Sequence, residues 1–249
     1  MKGENVKEAI VLKCQDLFDK DRIVTFLSPA KGRFEAVSRG SRKLTSRTMG
    51  KMEPMNLLTF RLNAGRSLDS VTEAEIICSF SGIRQSLPAS AAGLYMMDVI
   101  NRQSAEGEEN RPLFSLAKGC LRLLEGGLSP QVVSCFFEIK FVKVMGYMPS
   151  LHRCAACEGP GDHLYMSYRR GGGICPKCLG TSGRDQGMEV SPGTLQILRF
   201  MARTAARHLP TLNIHPSVLS QAREYLKCHM EHNLPGRPAA IKEYEKLSG

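Results

Sequence analysis

Two Cys-x-x-Cys pairs, Cys154 with Cys157 and Cys175 with Cys178, are separated by a polar loop rich in glycine. A Cys-x-x-Cys turn brings two thiolates onto one face of a metal ion, and two such turns complete a tetrahedron with no open coordination position. The spacing is that of a zinc ribbon or treble-clef site. A closed tetrahedron has no place for a substrate water, so the expected role is structural, with one zinc ion holding a small insert together. A thioredoxin-like redox pair would occur once, at a helix start after a strand, and the doubling argues against it. His152 and His163 lie nearby, but four cysteines already saturate an ion. Gly171, Gly172 and Gly173 are expected to allow the tight return of the chain toward the second pair, since the run lacks the Lys-Ser/Thr of a phosphate loop. With little core around it, the insert should unfold without the ion, because thiolate coordination contributes on the order of 10 kcal/mol. In the same loop Tyr165, Tyr168, Arg169 and Arg170 combine aromatic faces with guanidinium groups. Solvent exposure is expected for them, with contact to nucleic acid as the alternative.

A second constellation is cationic. Lys31, Arg33, Arg39, Arg42, Lys43, Arg47 and Lys51 crowd into one turn, one strand and the following loop, with Glu35 the only acid among them. On a small barrel such a strand and loop provide a cationic track for a phosphodiester backbone, and aromatics on the barrel face, here Phe26, Phe34 or Phe60, could offer stacking surface. The competing reading is a solvated charged surface, with each phenylalanine of an alternating strand in the core. Neutralising about seven phosphates on a single strand would give a log–log salt slope of about −5. Phosphate contacts position a protein without reading bases, so weak sequence preference is expected. The whole chain carries a formal charge of +10 and an isoelectric point near 9.3, which biases its partners toward polyanions, nucleic acid before an anionic membrane surface.

The chain has 249 residues, 42% of them hydrophobic, enough for one large domain or two small ones with a sizeable core. Its opening, MKGENVKEAIVL, holds no apolar run long enough for a secretory signal, and no segment approaches the roughly 20 apolar residues that cross a bilayer. A cytoplasmic protein with no membrane association is expected. The nine cysteines are odd in number and follow no secretory signal, which fits a reducing compartment better than a disulfide framework. Cys14, Cys78, Cys120, Cys135 and Cys228 sit in apolar or mixed surroundings and are expected as small core residues. No G-x-x-x-x-G-K-S/T, H-E-x-x-H or G-x-S-x-G occurs, so ATPase, zincin and α/β-hydrolase readings lose support. His229, Glu231 and His232 lie close together, yet their spacing matches no zinc-protease helix, and a solvated helix end is expected there.

The elements that must position these groups change character along the chain. From Val6 to Ile77 short apolar or alternating runs (VKEAIVLK, RIVTFLS, RFEAVSRG, MNLLTFRL, SVTEAEII) are broken by turn residues, with SPAKG at 28–32 and LNAGR at 62–66 as turns. Five short strands in about 75 residues suit a small closed or partly open OB-type barrel better than a sandwich of seven or more. Beyond residue 80 apolar residues recur three and four apart in LPASAAGLYMMDVINRQSA, RPLFSLAKGCLRLLEGG, SPQVVSCFFEIKFVKVMGY, SPGTLQILRFMARTAARHL and HPSVLSQAREYLKCHMEHNL. Pro112 and Pro130 mark helix starts, Ser129 an N-cap, and Gly126 and Gly146 stops. The expected fold is multidomain α+β: an N-terminal OB-fold β-barrel over residues 1–80 that binds nucleic acid, an α-helical domain in two parts, 81–149 and 181–249, and a four-cysteine zinc-binding insert over 150–180. The tail after Pro235 is expected to fray.

At these residues the chain resembles the RecO family of bacterial recombination mediators. The resemblance rests on AIVLK, RIVTFLSPAKGRFEAVSRGSRK, SVTEAEII, FFEIKFVKVMGYMPSLHRCAAC and GGGICPKC, in that order. It implies an N-terminal OB-fold, a helical domain and a zinc-binding insert. It further implies binding of single- and double-stranded DNA, annealing of complementary strands, and loading of RecA in gap repair with RecR, sometimes RecF, and single-strand-binding protein (SSB). By this resemblance the protein is a mediator and not an enzyme, works at the nucleoid, and contacts DNA through Lys31 to Lys51. A helical-domain groove with apolar and basic lining would suit the acidic C-terminal tail of SSB. Two other classes fit the charge and the cysteines: a zinc-stabilised RNA-binding or translation-associated module, and a metal hydrolase with an open coordination site.

Overall fold

The computed structural model describes residues 4–18, 20–41, 50–182 and 186–234. Five strands form a closed barrel: β1 (Glu4–Leu17), β2 (Asp21–Ser28), β3 (Gly32–Ser38), β4 (Leu57–Asn63) and β5 (Asp69–Cys78). They pair in the order β1-β2-β3-β5-β4, and β1 closes the ring by pairing with both β2 and β4. All neighbours are antiparallel except β3 and β5, which meet in parallel through Ala36 opposite Asp69 and Val37 opposite Ser70. This is the five-stranded closure of an OB-fold. The two expected turns fall between β2 and β3 and between β4 and β5.

Alternation along the strands decides what lies inside. In β3 Phe34 and Ala36 are buried while Arg33 and Glu35 are half-buried, and β2 sends Val24 and Phe26 into the same core. Phe26 is fully enclosed, its ring 4.7 Å from that of Phe60 and 5.4 Å from that of Phe34. These three rings fill the barrel, so they provide no stacking surface for a base. The outer face of β1 is buried too. Ile10 alternates with Val11 and lies on the side where helix α2 (Leu87–Gln103) packs. Register shifts between Val6 and Ala9 and between Val11 and Lys13 bend this long strand around the barrel.

The change from strand to helix falls between Cys78 and Ser81. A four-residue helix, α1 (Ser81–Arg84), follows β5 and was not anticipated from the sequence. Its first N–H groups, of Gly82 and Ile83, donate to the carboxylate of Glu125, 3.2 and 3.0 Å away, at the end of helix α3 (Arg111–Glu125). Ser86 and Asn110 cap α2 and α3 by accepting from Ala89 and Leu113 N–H, and a proline near each start costs no internal hydrogen bond. The segment between α2 and α3 lies along β3: Arg33 bridges Glu106 in parallel, Gly107 N–H donates to the Arg33 carbonyl at 2.8 Å, and a Cβ on Gly32 (φ +58°) would stand 1.7 Å from the Glu108 carbonyl oxygen. Barrel and helices α1 to α3 make one compact unit, which ends at Gly127; a second begins at Leu128.

In the second unit helices α4 (Pro130–Val144), α6 (Pro192–Arg203) and α7 (Pro216–Asn233) pack against one another. Between α4 and α6 stand a three-stranded sheet and a short helix: β6 (Tyr165–Ser167), β7 (Gly172–Ile174), α5 (Pro176–Ser182) and β8 (Gly187–Glu189), with sheet order β7-β6-β8. Strands of three residues are too short to show a period in the sequence. The helix expected over 191–209 ends at Arg203, because Thr204 turns extended (ψ 144°) and the chain goes on as a 3-10 turn, Ala206–Thr211. Ser129 holds the N-cap position of α4, but its hydroxyl meets the Gln131 side chain at 3.4 Å and makes no cap bond. Among the described residues no helix is long and apolar enough to cross a membrane. Phe26→Ala would empty the centre of the barrel and is expected to cost about 3–5 kcal/mol, measured as a lowered midpoint in urea denaturation.

Candidate metal centre and nucleic-acid interface

The Sγ atoms of Cys154, Cys157, Cys175 and Cys178 all lie within 4.8 Å of one another. A tetrahedral ion with metal–sulfur bonds of about 2.3 Å separates its sulfurs by about 3.8 Å, and Cys157 Sγ lies 3.8 Å from Cys175 Sγ. Two turns deliver the thiols. The first reverses at Glu158, whose φ of +58° lets its N–H donate to the Cys154 carbonyl at 2.8 Å. In the second, Pro176 opens α5, and Cys178 N–H reaches Cys175 Sγ at 3.5 Å. Cys154 Sγ also accepts from the N–H groups of Ala156 (3.4 Å) and Cys175 (3.3 Å). Burial alone would raise the Cys154 thiol, but backbone N–H donors from Cys175, Ala156 and Cys157 outweigh it and bring it down to about 6. Cys178, hydrogen-bonded to Cys157 and Cys175, is pushed up to about 12. Without a cation the cluster thus favours one thiolate at the expense of another, and a divalent ion is what four converging sulfurs fit.

The three glycines of the loop do what their position demands. A Cβ on Gly172 (φ +152°) would lie 2.5 Å from the Ser150 carbonyl oxygen, and one on Gly173 would lie 2.8 Å from His163 Cβ. Backbone therefore runs where a side chain cannot, and Ser150 and Gly171 to Gly173 exchange N–H···O bonds of 2.8 and 3.0 Å. His163 is buried and directs Nε2 to the Gly159 carbonyl at 3.1 Å, which leaves the ion to the cysteines. Tyr165 is buried with Cys154 and Ile174, against the expected exposure, and half-buried Tyr168 packs against Tyr225 at 5.8 Å, whereas Arg169 and Arg170 are exposed as expected. At the end of α7 Glu231 and His232 are exposed, as expected of a solvated helix end, but His229 is not. His229 is 2% exposed and donates through Nε2 to the Tyr147 carbonyl at 2.8 Å, while burial holds its imidazole below the ordinary range. Of the five other cysteines, Cys120 and Cys135 are fully buried, with thiols that burial pushes far up, and Cys14, Cys78 and Cys228 are half-buried.

On the barrel the structure sorts the cations. Arg33 donates to Glu106 at 2.9 Å and to the Ser104 carbonyl at 3.2 Å, and lies 3.8 Å from Glu35 as an ion pair. Lys31 pairs with Glu4 at 2.6 Å, and Lys51 donates to the Ala74 carbonyl at 2.7 Å. Arg39 is exposed. Arg42, Lys43 and Arg47 lie outside the described residues. The sequence showed only Glu35 beside these cations, because Glu4 and Glu106 reach them through pairing distant in the chain.

Arg39 follows β3 at the end where β1 turns into β2. Arg22 opposes Ser38, and Gly40 N–H donates to the Asp21 carboxylate at 2.8 Å. Phe18 stands at that turn, 85% exposed and with φ at +53°. Sequence reading passed over it because DLFDKD carries neither the alternation of a strand nor a run of cations.

The second unit also holds a groove of about 570 Å³ along α6 and the start of α7. Its apolar lining includes Ile197, Phe200, Ile214 and Val218, and its basic lining Arg199 and Arg203. Desolvation first, then these two guanidiniums, hold the His152 imidazole at its edge below the usual range, with Asp162 opposing them. Arg199 itself is anchored to the Leu151 carbonyl at 2.8 Å and to Asp162 at 2.7 Å.

Two family models match the chain, and they meet near residue 80, at the end of the barrel, rather than at the boundary of the two compact units. A family model described as Recombination protein O N terminal matches residues 1–80, and one described as Recombination protein O C terminal matches residues 84–240. The DNA repair protein RecO of Pelotomaculum thermopropionicum is 33% identical over 232 residues, 91% of this chain and 90% of its own. That of Frankia casuarinae is 34% identical over 239 residues, 93% and 96% of the two chains. One from Dehalococcoides mccartyi is 30% identical over 236 residues, 94% and 92%. With an OB barrel, a helical region bearing a four-cysteine cluster, and matches that span both, the chain belongs to the RecO family and has a role in DNA repair and recombination.

Proposed function

We propose that the chain is a recombination mediator that binds single- and double-stranded DNA and anneals complementary strands. With RecR it helps load RecA onto gaps coated by SSB, with RecF as a further partner, at the nucleoid in the cytoplasm. The observation that carries this reading is a closed OB barrel from whose β3 end, at exposed Arg39, a cationic stretch of sequence departs. Cations there screen the repulsion between two phosphate backbones and hold the strands near each other, so that base pairing supplies the driving force. No nucleotide hydrolysis and no covalent chemistry are needed, and the protein acts without being an enzyme.

Arg39, Arg42, Lys43, Arg47 and Lys51 carry the contact to phosphates. Lys31 can exchange Glu4 for a phosphate, since an exposed ion pair contributes only about 0–1 kcal/mol. Arg33, held by two acceptors and a further carboxylate, stays with its own unit. At about −0.7 per neutralised phosphate of a single strand, five cations give a log–log salt slope of roughly −3.5. The four thiolates hold one structural zinc ion, which braces the insert and takes no part in chemistry. The groove along α6, apolar with Arg199 and Arg203 at hand, receives the acidic C-terminal tail of SSB.

Three outcomes are expected. Annealing of bare and SSB-coated complementary strands should be accelerated by the wild type; the triple change Arg39→Ala, Arg42→Ala and Lys43→Ala should reduce binding about 100-fold near 0.1 M salt and flatten the salt slope by about 2. Binding and annealing that survive that change would remove the barrel from the mechanism. Metal analysis should return one zinc per chain with four sulfur ligands, and a chelator should open residues 150–182 to proteolysis while oligonucleotide affinity persists. Arg203→Glu should abolish binding of an SSB tail peptide, read by fluorescence anisotropy, without changing affinity for DNA.

A further inference from the structure

Phe18 combines two local costs at one residue. Its ring is 85% exposed, and its φ of +53° places a bulky side chain in the left-handed region, where only glycine is at ease. The turn around it is fixed nonetheless. Leu17 and Asp21 pair across β1 and β2, so Phe18 and Lys20 stand at the tip of a hairpin. Asp16 is bound to Arg22 at 3.2 Å, and Asp21 accepts from Gly40 N–H at 2.8 Å. Arg22 also reaches Glu53 at 3.2 Å, which ties the same end of the barrel to the far side of the β3–β4 connection. Asp16 and Asp21, the described acids beside Phe18, are thus engaged, and exposed Lys20 and Arg39 stand by the same turn. Of the aromatic residues on the barrel strands, Phe26, Phe34 and Phe60 are buried.

We infer that the Phe18 ring is a stacking platform for unpaired bases of single-stranded DNA whose phosphates meet the exposed Lys20 and Arg39 beside it. This inference rests on the DNA-binding reading above and adds to it the group that meets the bases. A π face accepts any base, which suits a protein that must bind without regard to sequence, and a ring on a hairpin tip at the cationic end lies where a backbone held by Arg39 presents its bases. It also separates the strands' two states. Paired bases offer no open face to the ring, so Phe18 favours the single strand while the cations serve both forms, and pairing during annealing releases the ring.

The test uses the full-length protein with an oligothymidylate and with the same backbone carrying abasic sites. Phe18→Ala and Phe18→Leu are each expected to weaken the thymidylate complex about 5- to 100-fold, with affinity for the abasic strand and the salt slope unchanged. Phe18→Trp should keep wild-type affinity. The chain has no tryptophan of its own, so this single indole should be quenched by thymidylate and not by the abasic strand. Phe18→Gly relieves the backbone, so its melting temperature should not fall although its affinity does; a merely structural residue would lose both. Wild-type affinity in Phe18→Ala or Phe18→Leu, or equal indole emission with both strands, overturns the inference. So does a loss confined to RecR or SSB binding, which would make Phe18 a protein contact. A wild type that binds neither strand sinks the DNA-binding reading along with it, whereas a wild type that binds and variants that match it sink the stacking role alone.

Discussion

The parallel seam at Ala36–Asp69 and Val37–Ser70 is the constraint on which the barrel depends. Antiparallel neighbours can be joined by hairpins, and β1-β2-β3 and β4-β5 are such hairpin runs. The seam joins the two runs on one side, as β1 with β4 joins them on the other. Closure buries Phe26, Phe34 and Phe60 against one another, and it fixes which ends of the strands share a rim. The β1–β2 turn and the end of β3 are brought to the same rim, so exposed Arg39 and an exposed ring come to one end of the barrel although some twenty residues separate them in the chain. The make-up of this rim is a property of topology before it is a property of any side chain.

The most legible features were those in which local chemistry and global structure agree. Four cysteines at ribbon spacing can converge in few ways, and they do converge. Five alternating runs with turn residues between them suit a small barrel, and a small barrel forms. What stayed hidden was carried by contacts distant in sequence. Helix α1 exists because the Glu125 carboxylate, more than forty residues on, receives its first N–H groups. Arg33 looked like one cation among seven until Glu106 and Ser104 came alongside it. The aromatic stretch at Tyr165 to Tyr168 read as an exposed loop, but packing on Cys154 buries Tyr165 and packing on Tyr225 half-buries Tyr168. In the last turns of α6 helical period continued past Arg203 while the backbone at Thr204 did not, since period reports a favourable face and not where the chain leaves it.

The cysteine insert shows how a small structure substitutes close backbone approach and converging sulfurs for core. Its buried apolar cluster amounts to Cys154, Tyr165 and Ile174 with a few half-buried neighbours. In place of more side chains it uses close approach, with Gly172 and Gly173 lying where no Cβ fits. It uses neighbours in its own unit as well: Arg199 of α6 grips the Leu151 carbonyl, and Asn233 of α7 donates to the Tyr168 carbonyl at 3.1 Å. The four sulfurs converge within 4.8 Å of one another, and backbone N–H donors draw the Cys154 thiol down despite its burial.

The segment from Ser104 to Glu108 lies against the half of β3 that β5 does not reach. Its bridge to Arg33, the Gly107 N–H on the Arg33 carbonyl, and the lack of a side chain at Gly32 together seat it as closely as a strand would sit. An uncovered stretch of β3 there would offer unpaired amides and carbonyls to any extended peptide, including a second copy of the same barrel. Occupation by the chain itself forecloses strand addition on that side, so copies of this highly charged protein cannot join their sheets through that edge.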